Sequence, residues 1–386
     1  MLSDLAFALA AHGHTVHVVT SRLRYDDPSV PLPERETIKG VEVHRVRTTG
    51  FGRGHLGGRA LDYLSFYLAA TLRLLRLVRA GDLVVAKTDP PLIAVPAGWV
   101  AGWRRARLVN WLQDLFPEVA GALGMDLGKG AVGSLLVWLR NRSLQGAAVN
   151  VAIGEGMRRR LLELGVAPAR LAVVHNWADD ERIRPLAAAA NPLRREWGLG
   201  DKFVVGYSGN LGRAHEFETL LAAAERLRDQ DDIVFLFIGG GASMQGLRAE
   251  AKRRGTLNLT FRPYQPAERL AESLTLPDLH LVVLRPEMEG LIVPSKFYGI
   301  AAAGRPTVFV GSPDGEIAGV LSAGQAGLAV SQGNGAGLAD AILRLRDDRD
   351  LREGMGRHAR RLCDERFSRR AALKHWEEVL SSAWEN

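Results

Sequence analysis

The sequence predicts an α/β protein of two domains, each built on a parallel sheet with helices on both faces. Short runs of Val, Ile and Leu alternate with amphipathic helical segments along the 386 residues, as expected for buried parallel strands joined by crossover helices. One hydrophobic core rarely supports a chain this long. Residues 180–199 are irregular and contain two prolines, so we place the domain boundary near Leu186. The predicted segments are an N-terminal domain (1–185), a C-terminal domain (186–365) and a final helix that we expect to pack on the first domain (366–386).

The first domain begins with a predicted helix, residues 1–11, which Gly13 ends. A doubly wound domain usually begins with a strand, so we expect a first strand and its loop to precede Met1. Residues 25–39, rich in proline and charge, are predicted to form a loop. Apolar runs predict strands at residues 15–20, 83–86, 108–112, 150–153 and 171–174, and an alternating pattern predicts one at residues 41–46. Helical periodicity predicts helices at residues 61–80, 92–103 and 130–142.

The second domain repeats the strand and helix alternation. Strands are predicted at residues 203–207, 234–238, 257–261, 279–284 and 307–310. After the first of these, residues 208–215 form a glycine-containing turn ahead of a helix, an arrangement that cradles phosphate. Many α/β loops contain two glycines, so this turn alone does not identify a ligand.

The most informative stretch is residues 289–306. Pro294 and Ser295 predict a helix start, and Gly304 a helix end before the next strand. Ligands of open α/β sheets bind at the carboxyl ends of the strands, which is where Glu289, Ser295 and Lys296 fall. An amine and free N–H groups neutralise phosphate, and a carboxylate accepts bonds from hydroxyls, so the set suits a phosphorylated sugar. The alternative is that Glu289 and Lys296 form an exposed loop pair.

Three other acidic residues have positions or spacings that suit catalysis or metal binding. Asp114 follows the strand at residues 108–112, at its carboxyl end, and is a candidate catalytic group or else a helix cap. Asp229 and Asp231 have the spacing of a metal-binding pair but precede their strand, so we interpret them as a solvated loop. The histidines show no HExxH or similar spacing. We predict no metal ion.

Composition and charge narrow the classes of function. The net charge of +7 comes mainly from arginine, which favours nucleotide phosphates or anionic lipid headgroups as partners. The chain shows no zinc-finger spacing or RNP-like strand, so nucleic acid is not expected. A single cysteine, Cys363, indicates a reducing compartment. We found no run of about 18 apolar residues that would span a bilayer. We therefore expect cytoplasmic residence, with attachment to the inner membrane surface left open.

Two amphipathic segments bear on that attachment. Residues 61–80 and 130–142 combine leucines and Trp138 with arginines. The five arginines in question are Arg73, Arg76, Arg79, Arg140 and Arg142. This pattern predicts either salt-sensitive contact with anionic lipid or packing against the core.

Five collinear motifs carry a resemblance to a known family. They are LQDLFPE (112–118), VHNWAD (174–179), YSGNLGR (207–213), FRPYQP (261–266) and EGLIVPSKFYG (289–299). With these motifs the chain resembles the bacterial family-four retaining glycosyltransferases, which have the two-Rossmann-domain architecture called GT-B. Within that family it looks most like the colanic-acid and O-antigen branch that includes fucosyl and N-acetylfucosaminyl transferases. The resemblance covers nearly the whole chain.

The resemblance implies transfer of a sugar from a nucleotide diphosphate, with retained configuration and without a metal or other cofactor. Donor would bind to the second domain and acceptor to the first. Arg285 and Lys296 would face the diphosphate, Glu289 the donor sugar, and the loop around Tyr264 the base. The implied catalytic residues are Glu289, Asp114 and Lys296. The implied donor-binding residues are Gly209, Asn210, His215, Tyr264, Arg285, Gly290, Leu291, Ile292, Ser295, Lys296 and Tyr298.

The chain departs from the family pattern at several positions. Family members commonly carry a second Glu five residues before the glycine that matches Gly304, where this chain has Gly299. Asn210 and His215 replace the usual Arg and Lys of the first donor loop, and Gln113 replaces a histidine on the acceptor side. We interpret these replacements as features of a subtype.

The leading hypothesis is a transferase that uses a nucleotide sugar, UDP-sugar favoured, to extend a lipid-linked saccharide in cell-surface polysaccharide synthesis. The alternative is a nucleotide-sugar-binding protein or partner subunit with impaired catalysis. A sugar-nucleotide epimerase would need acid and base groups lining the cleft, and the sequence offers no clear set.

Overall fold

The computed structural model describes residues 1–24, 30, 32–52, 56–125 and 130–385. Its strands are β1 (His17–Ser21), β2 (Arg35–Ile38), β3 (Val41–Val46), β4 (Leu83–Lys87), β5 (Arg107–Trp111), β6 (Val149–Ala152), β7 (Leu171–Val173), β8 (Phe203–Asn210), β9 (Ile233–Gly240), β10 (Leu259–Arg262), β11 (Leu279–Val283), β12 (Thr307–Gly311) and β13 (Gly327–Ser331).

The α-helices alternate with these strands, as the sequence pattern predicts. They are α1 (Leu2–Ala11), α2 (Leu56–Leu77), α3 (Ala94–Arg104), α4 (Glu118–Ala122), α5 (Gly130–Gly146), α6 (Glu155–Glu163), α7 (Pro192–Glu196), α8 (Glu218–Arg226), α9 (Met244–Arg254), α10 (Leu270–Thr275), α11 (Lys296–Ala302), α12 (Glu316–Gly324), α13 (Gly335–Asp347), α14 (Arg349–Leu362) and α15 (Arg369–Glu385).

The second domain is built on one sheet of six parallel strands in the order β10-β9-β8-β11-β12-β13. Every residue of β11 and β12 is buried, because helices cover both faces of these central strands. Strands β8, β9 and β11 therefore end side by side, and the loops that follow them meet at one edge of the sheet. The prediction of a doubly wound parallel sheet is confirmed here.

The first domain distributes its strands over two sheets. Strands β4-β5-β6-β7 form a parallel sheet, and β1-β3-β2 form a second sheet in which β2 runs antiparallel to β3. Strand β2 lies within residues 25–39, where we predicted only a loop, and that prediction is wrong for its second half. Its four residues alternate between exposed and half-buried at a sheet edge, so no apolar run marks it. Residues 25–29 and 31 of the predicted loop lie outside the described residues.

The two domains share a hydrophobic core at the mouth of the cleft between them. Leu112 and Leu115 of the first domain belong to the same buried cluster as Leu291 and Phe297 of the second. The backbone N–H of Leu115 donates to the carbonyl of Leu291 at 3.0 Å. The loop after β5 is therefore held against the loop after β11.

The C-terminal helix α15 returns to the first domain and packs against α1, β4 and β5. Its Trp376 is fully buried, with its ring centroid 4.6 Å from that of Trp111 on β5. Residues 369–385 thus contribute to the core of the first domain although they follow the second domain in the chain.

Helices α2, α3 and α5 lie side by side on the first domain and present large apolar side chains to solvent. The exposed residues, which we call the apolar face, are Leu61, Leu64, Leu68, Leu72, Trp99, Trp103, Val132, Leu135 and Trp138. On α2 these leucines recur every three or four residues, so the stripe directed to solvent is leucine-rich. Soluble monomers rarely expose an apolar surface this extensive without a partner.

Two of the arginines that we expected to contact lipid headgroups already form ion pairs within the protein. Arg140 is 6% exposed, and its guanidinium forms a two-pronged ion pair with the carboxylate of Glu118. Arg73 pairs with Glu34 at 3.0 Å. A buried guanidinium needs such a carboxylate to offset its lost hydration. Only Arg76, Arg79 and Arg142 of the five remain exposed.

Candidate active site

The candidate site lies at the carboxyl edge of the second sheet, where it faces the loop after β5. Glycines shape the floor of this edge. A Cβ on Gly239, whose φ is +131°, would lie 2.3 Å from the carbonyl oxygen of Gly209, so only glycine permits this approach. The ring of Tyr264 covers Gly239 and Gly240, 3.2 Å from where a Cβ would project at either position. The end of β9 is thus a glycine surface beneath an aromatic ring.

Lys296 is a half-buried cation at this edge of the sheet. Its Nζ donates to the hydroxyl of Tyr207 and, at 3.4 Å, to the backbone carbonyl of Asn210, and it lies 3.9 Å from the centroid of the Tyr207 ring. Burial lowers the pKa of Lys296 to about 7, because an ammonium loses hydration there. Among the described residues, no carboxylate forms an ion pair with it. The alternative interpretation of Lys296 as half of an exposed loop pair with Glu289 is therefore wrong.

His215 lies beside this cation. Its ring packs edge-on against Tyr207, with centroids 6.5 Å apart. Burial, and then the positive charge of Lys296, lower the pKa of His215 to about 3, so the imidazole is neutral at physiological pH. Within the described part of the chain, its Nδ1 has no hydrogen-bond partner. It supplies a neutral polar atom next to the ammonium.

Two further predicted donor residues lie at the solvent side of the site. Arg285 is exposed, and its backbone N–H donates to the carbonyl of Ala214 at 3.0 Å, which joins the loops after β8 and β11. Ser295 is exposed immediately before α11. Both side chains are accessible to a ligand that reaches Lys296.

Glu289 begins the loop segment that leads to α11. Its Oε2 accepts from the backbone N–H of Glu316, the first residue of α12, at 3.2 Å. Burial and the charge of Glu316 raise the pKa of Glu289. Its Oε1 is buried and lacks a hydrogen-bond partner in the described structure. A Cβ on Gly315 would lie 2.2 Å from that oxygen, so glycine leaves space for the carboxylate.

Asp114 approaches from the first domain. Its backbone pairs with that of Ile292 across the cleft. Burial, followed by repulsion from Asp89, raises the pKa of the Asp114 carboxyl to about 6. Its Oδ1 is buried without a partner among the described residues. Asp114 is thus a cleft carboxylate, and the alternative role as a helix cap finds no hydrogen bond in the structure described.

The remaining predicted donor residues lie in different surroundings. Gly290 has a φ of +74°, and a Cβ there would lie 3.0 Å from the carbonyl oxygen of Gly156, so it permits close approach to the first domain. Leu291 is buried in the shared core. Tyr298 is also buried, edge-on to Phe367 with centroids 5.2 Å apart. The prediction that the Tyr298 side chain binds donor is wrong, because α11 directs it into the core.

Sequence reasoning missed three polar features of the cleft. Tyr207 is the last residue of the strand predicted at residues 203–207, and we predicted no role for its side chain. Glu316 begins the helix after β12, so the carboxyl-end rule that found Glu289 could have found it as well. Its Oε2 accepts from the N–H of Gly156 in the first domain at 2.8 Å. The side-chain amides of Gln113 and Asn176 each donate a hydrogen bond to the other's oxygen at 3.0 Å. No local sequence pattern predicts this pair.

Comparison with known proteins gives the family. Residues 1–177 match the family described as Glycosyl transferase 4-like domain, and residues 191–362 match Glycosyl transferases group 1. The chain is 34% identical over 205 residues to the putative colanic acid biosynthesis glycosyl transferase WcaI of Escherichia coli K12, which is 52% of this chain and half the length of that relative.

Solved structures show the same fold. Sucrose-phosphate synthase from Thermosynechococcus elongatus has a TM-score of 0.78 at 17% identity, covering 100% of this chain and 92% of that one. Anabaena HepE in complex with UDP and glucose has a TM-score of 0.73 at 18% identity, covering 99% and 95%. The chain belongs to the family-four glycosyltransferases and has the GT-B fold.

Proposed function

We propose that this protein transfers a sugar, with retention, from a nucleotide diphosphate sugar to a lipid-linked saccharide during cell-surface polysaccharide synthesis. The observation that carries the proposal is Lys296, a half-buried cation without an ion pair in the described structure, at the edge where β8 and β11 end. An ammonium that is partly desolvated and unpaired is costly, and a phosphate bound there would supply the missing charge. Arg285 and Ser295 are accessible on the same edge.

The donor would lie along the carboxyl edge of the second sheet. Gly209 and Asn210 line the first loop, and Tyr264 offers an exposed ring on which a base could stack. We favour uracil as the base because Anabaena HepE, which shares the fold, is described in complex with UDP and glucose. The relative from Escherichia coli, named for colanic acid biosynthesis, favours a polysaccharide product.

The proposed reaction breaks the bond between the anomeric carbon and the phosphate oxygen, and the electron pair stays on the nucleotide diphosphate. Lys296 and Arg285 would stabilise that developing charge without a metal ion. The free Oε1 of Glu289 would accept a hydrogen bond from the donor sugar. The free Oδ1 of Asp114 would orient the acceptor hydroxyl, whose oxygen forms the new bond while its proton passes to the phosphate oxygen released from the anomeric carbon. Both carboxylates already lie in the cleft, so little reorganisation is needed.

The test of the donor site is the Lys296→Ala variant. We expect it to weaken UDP binding by about 100-fold, typical of losing a buried charge-assisted contact, while uridine binding changes little. Lys202→Ala is the matched control, because Lys202 lies at the opposite end of β8 and donates to the Asp231 carbonyl. Equal losses for UDP and uridine would contradict the assignment. UDP-sugar binding without transfer to any acceptor would instead favour the nucleotide-sugar-binding protein.

The acceptor proposal rests on the apolar face of the first domain. We propose that this face lies in the headgroup region of the cytoplasmic membrane, on its inner side, and brings the cleft to a lipid-linked acceptor. Tryptophans and leucines suit the boundary between headgroups and acyl chains. Arg76 follows the leucine stripe of α2 by one turn, and Arg142 follows Trp138 of α5 by one turn, where they would meet anionic headgroups.

Attachment would be peripheral. No helix within the described residues is long and apolar enough to cross a membrane. The apolar side chains number nine and the exposed arginines from our original set number three, so the hydrophobic contribution should dominate. This revises the salt-sensitive attachment that the sequence suggested, because Arg73 and Arg140 are already paired.

A further inference from the structure

A cluster of three potential metal ligands lies on the three-stranded sheet of the first domain. His17 is the first residue of β1, and it lies opposite Glu42 of the parallel strand β3. His44 follows Glu42 by two residues, so its side chain leaves the same face of the sheet. Side-chain atoms of all three therefore converge at one point of this face.

The distances within the cluster match one face of a coordination tetrahedron. His17 Nδ1 lies 3.1 Å from His44 Nε2 and 3.3 Å from Glu42 Oε2, and the last pair is 3.6 Å apart. A tetrahedral zinc ion with bonds of about 2.0–2.1 Å holds its ligand atoms about 3.3–3.4 Å apart. A hydrogen bond between the two imidazoles would account for one of these separations. A shared ion accounts for all three.

The orientation of the rings agrees with a shared ion. The imidazole centroids are 5.3 Å apart, and the ring planes are inclined by 42°. Two imidazoles on one tetrahedral ion place their centroids about 5 Å apart, since each centroid is about 3.2 Å from the metal. His44 is buried, whereas His17 and Glu42 are partly accessible. The fourth position of the ion would therefore face solvent.

We propose that His17, Glu42 and His44 bind one divalent transition-metal ion, with zinc the best fit and a water molecule as the fourth ligand. A donor set of two imidazoles and one carboxylate suits zinc and its neighbours in the first transition row. The sequence predicted no metal because the ligands come from two strands and share no local spacing.

The site is separate from the cleft. His17 and Glu42 lie near the amino ends of β1 and β3, whereas ligand-binding loops follow the carboxyl ends. The bound ion would join β1 to β3 and stabilise this small sheet, because it binds the folded arrangement alone. Two cations lie nearby: Arg35, which is exposed opposite His44 on β2, and Arg73, which Glu34 neutralises.

The experiment uses the full chain without a histidine tag, stripped with a chelator and titrated with zinc. We expect one zinc per chain, a rise in melting temperature, and the visible absorption of tetrahedral cobalt when cobalt replaces zinc. His17→Gln and Glu42→Gln change partly exposed residues, so they should fold, and each should weaken zinc binding by at least about tenfold.

His12→Gln is the matched control. His12 forms a comparable contact with one carboxylate, Glu377, at 2.7 Å, but among the described residues it belongs to no group of three potential metal ligands. This variant should bind zinc as the parent does. Zinc binding that is unchanged in His17→Gln and Glu42→Gln, or absent from the parent chain, would overturn the proposal. Neither outcome bears on UDP binding, so the proposed function stands or falls separately.

Discussion

The two domains of this protein differ in how many large apolar side chains they expose to solvent. In the second domain, helices cover both faces of the six-stranded sheet, and large exposed apolar residues are isolated, as at Leu257 and Leu270. In the first domain, α2, α3 and α5 cover the sheet and also direct leucines and tryptophans outward. Both domains are α/β layers with packed cores. The difference supports the proposal that the first domain, unlike the second, meets a second apolar environment.

After the Lys296→Ala variant, the largest expected effect concerns the apolar face. Leu64→Glu combined with Leu68→Glu should weaken binding to anionic vesicles by about thirtyfold, since two partly inserted leucines contribute about 2 kcal/mol. Sedimentation with vesicles at low and high salt measures this. Leu257→Glu is the control, because Leu257 is 93% exposed on the second domain.

Two outcomes of the vesicle experiment would contradict the proposed role of the apolar face. If the parent chain stays in the supernatant with anionic and neutral vesicles alike, the face does not meet lipid. A parent chain that sediments at low salt and is released at high salt would show that arginines outweigh leucines, as the sequence first suggested.

The next effect concerns the carboxylates of the cleft. Glu289→Gln should reduce transfer by at least about tenfold, equivalent to about 1.4 kcal/mol of transition-state stabilisation, and leave UDP affinity nearly unchanged. Steady-state kinetics together with calorimetric titration of UDP separate the two quantities. Glu287→Gln serves as control, because Glu287 is exposed two residues earlier. A fully active Glu289→Gln variant would remove Glu289 from the mechanism.

A smaller effect follows from the pKa of about 7 at Lys296. Bound diphosphate favours the ammonium and raises that pKa, so the complex holds more protons than the free protein above pH 7. UDP affinity should therefore fall several-fold between pH 7.5 and pH 9, where the ligand phosphates are already ionised. Titrations in buffers of different ionisation enthalpy would show proton uptake. A Lys296→Met variant should lose this pH dependence, and its persistence there would assign the proton to another group.

The smallest expected effect is that of chelation on turnover. In the proposed reaction Lys296 and Arg285 supply the positive charge, so initial rates at low temperature should survive EDTA. The proposed zinc ion lies elsewhere, so chelation should lower the melting temperature instead. Loss of turnover in EDTA that magnesium or manganese restores would contradict a metal-independent reaction.

Prediction from sequence succeeded where a local pattern reports burial on both sides of a strand. The runs that became β11 and β12 are mainly apolar and fully buried, and their positions agree with the structure to within a residue or so. Strand β2 was missed because an edge strand needs no such run. We assigned Tyr298 to the donor site because it lies in the same motif as Lys296. Closeness in the sequence does not determine which side of α11 a residue occupies.

The sequence by itself determined the alternation of strand and helix, the division into two domains and the loops that carry Glu289, Lys296 and Asp114. Each of these depends on residues close together in the chain. Only the tertiary structure decided which amphipathic helices remain uncovered, which arginines are already paired, and which histidines meet. Those properties depend on side chains brought together from distant segments, and the periodicity of a helix is the same whether its apolar stripe faces a core or a membrane.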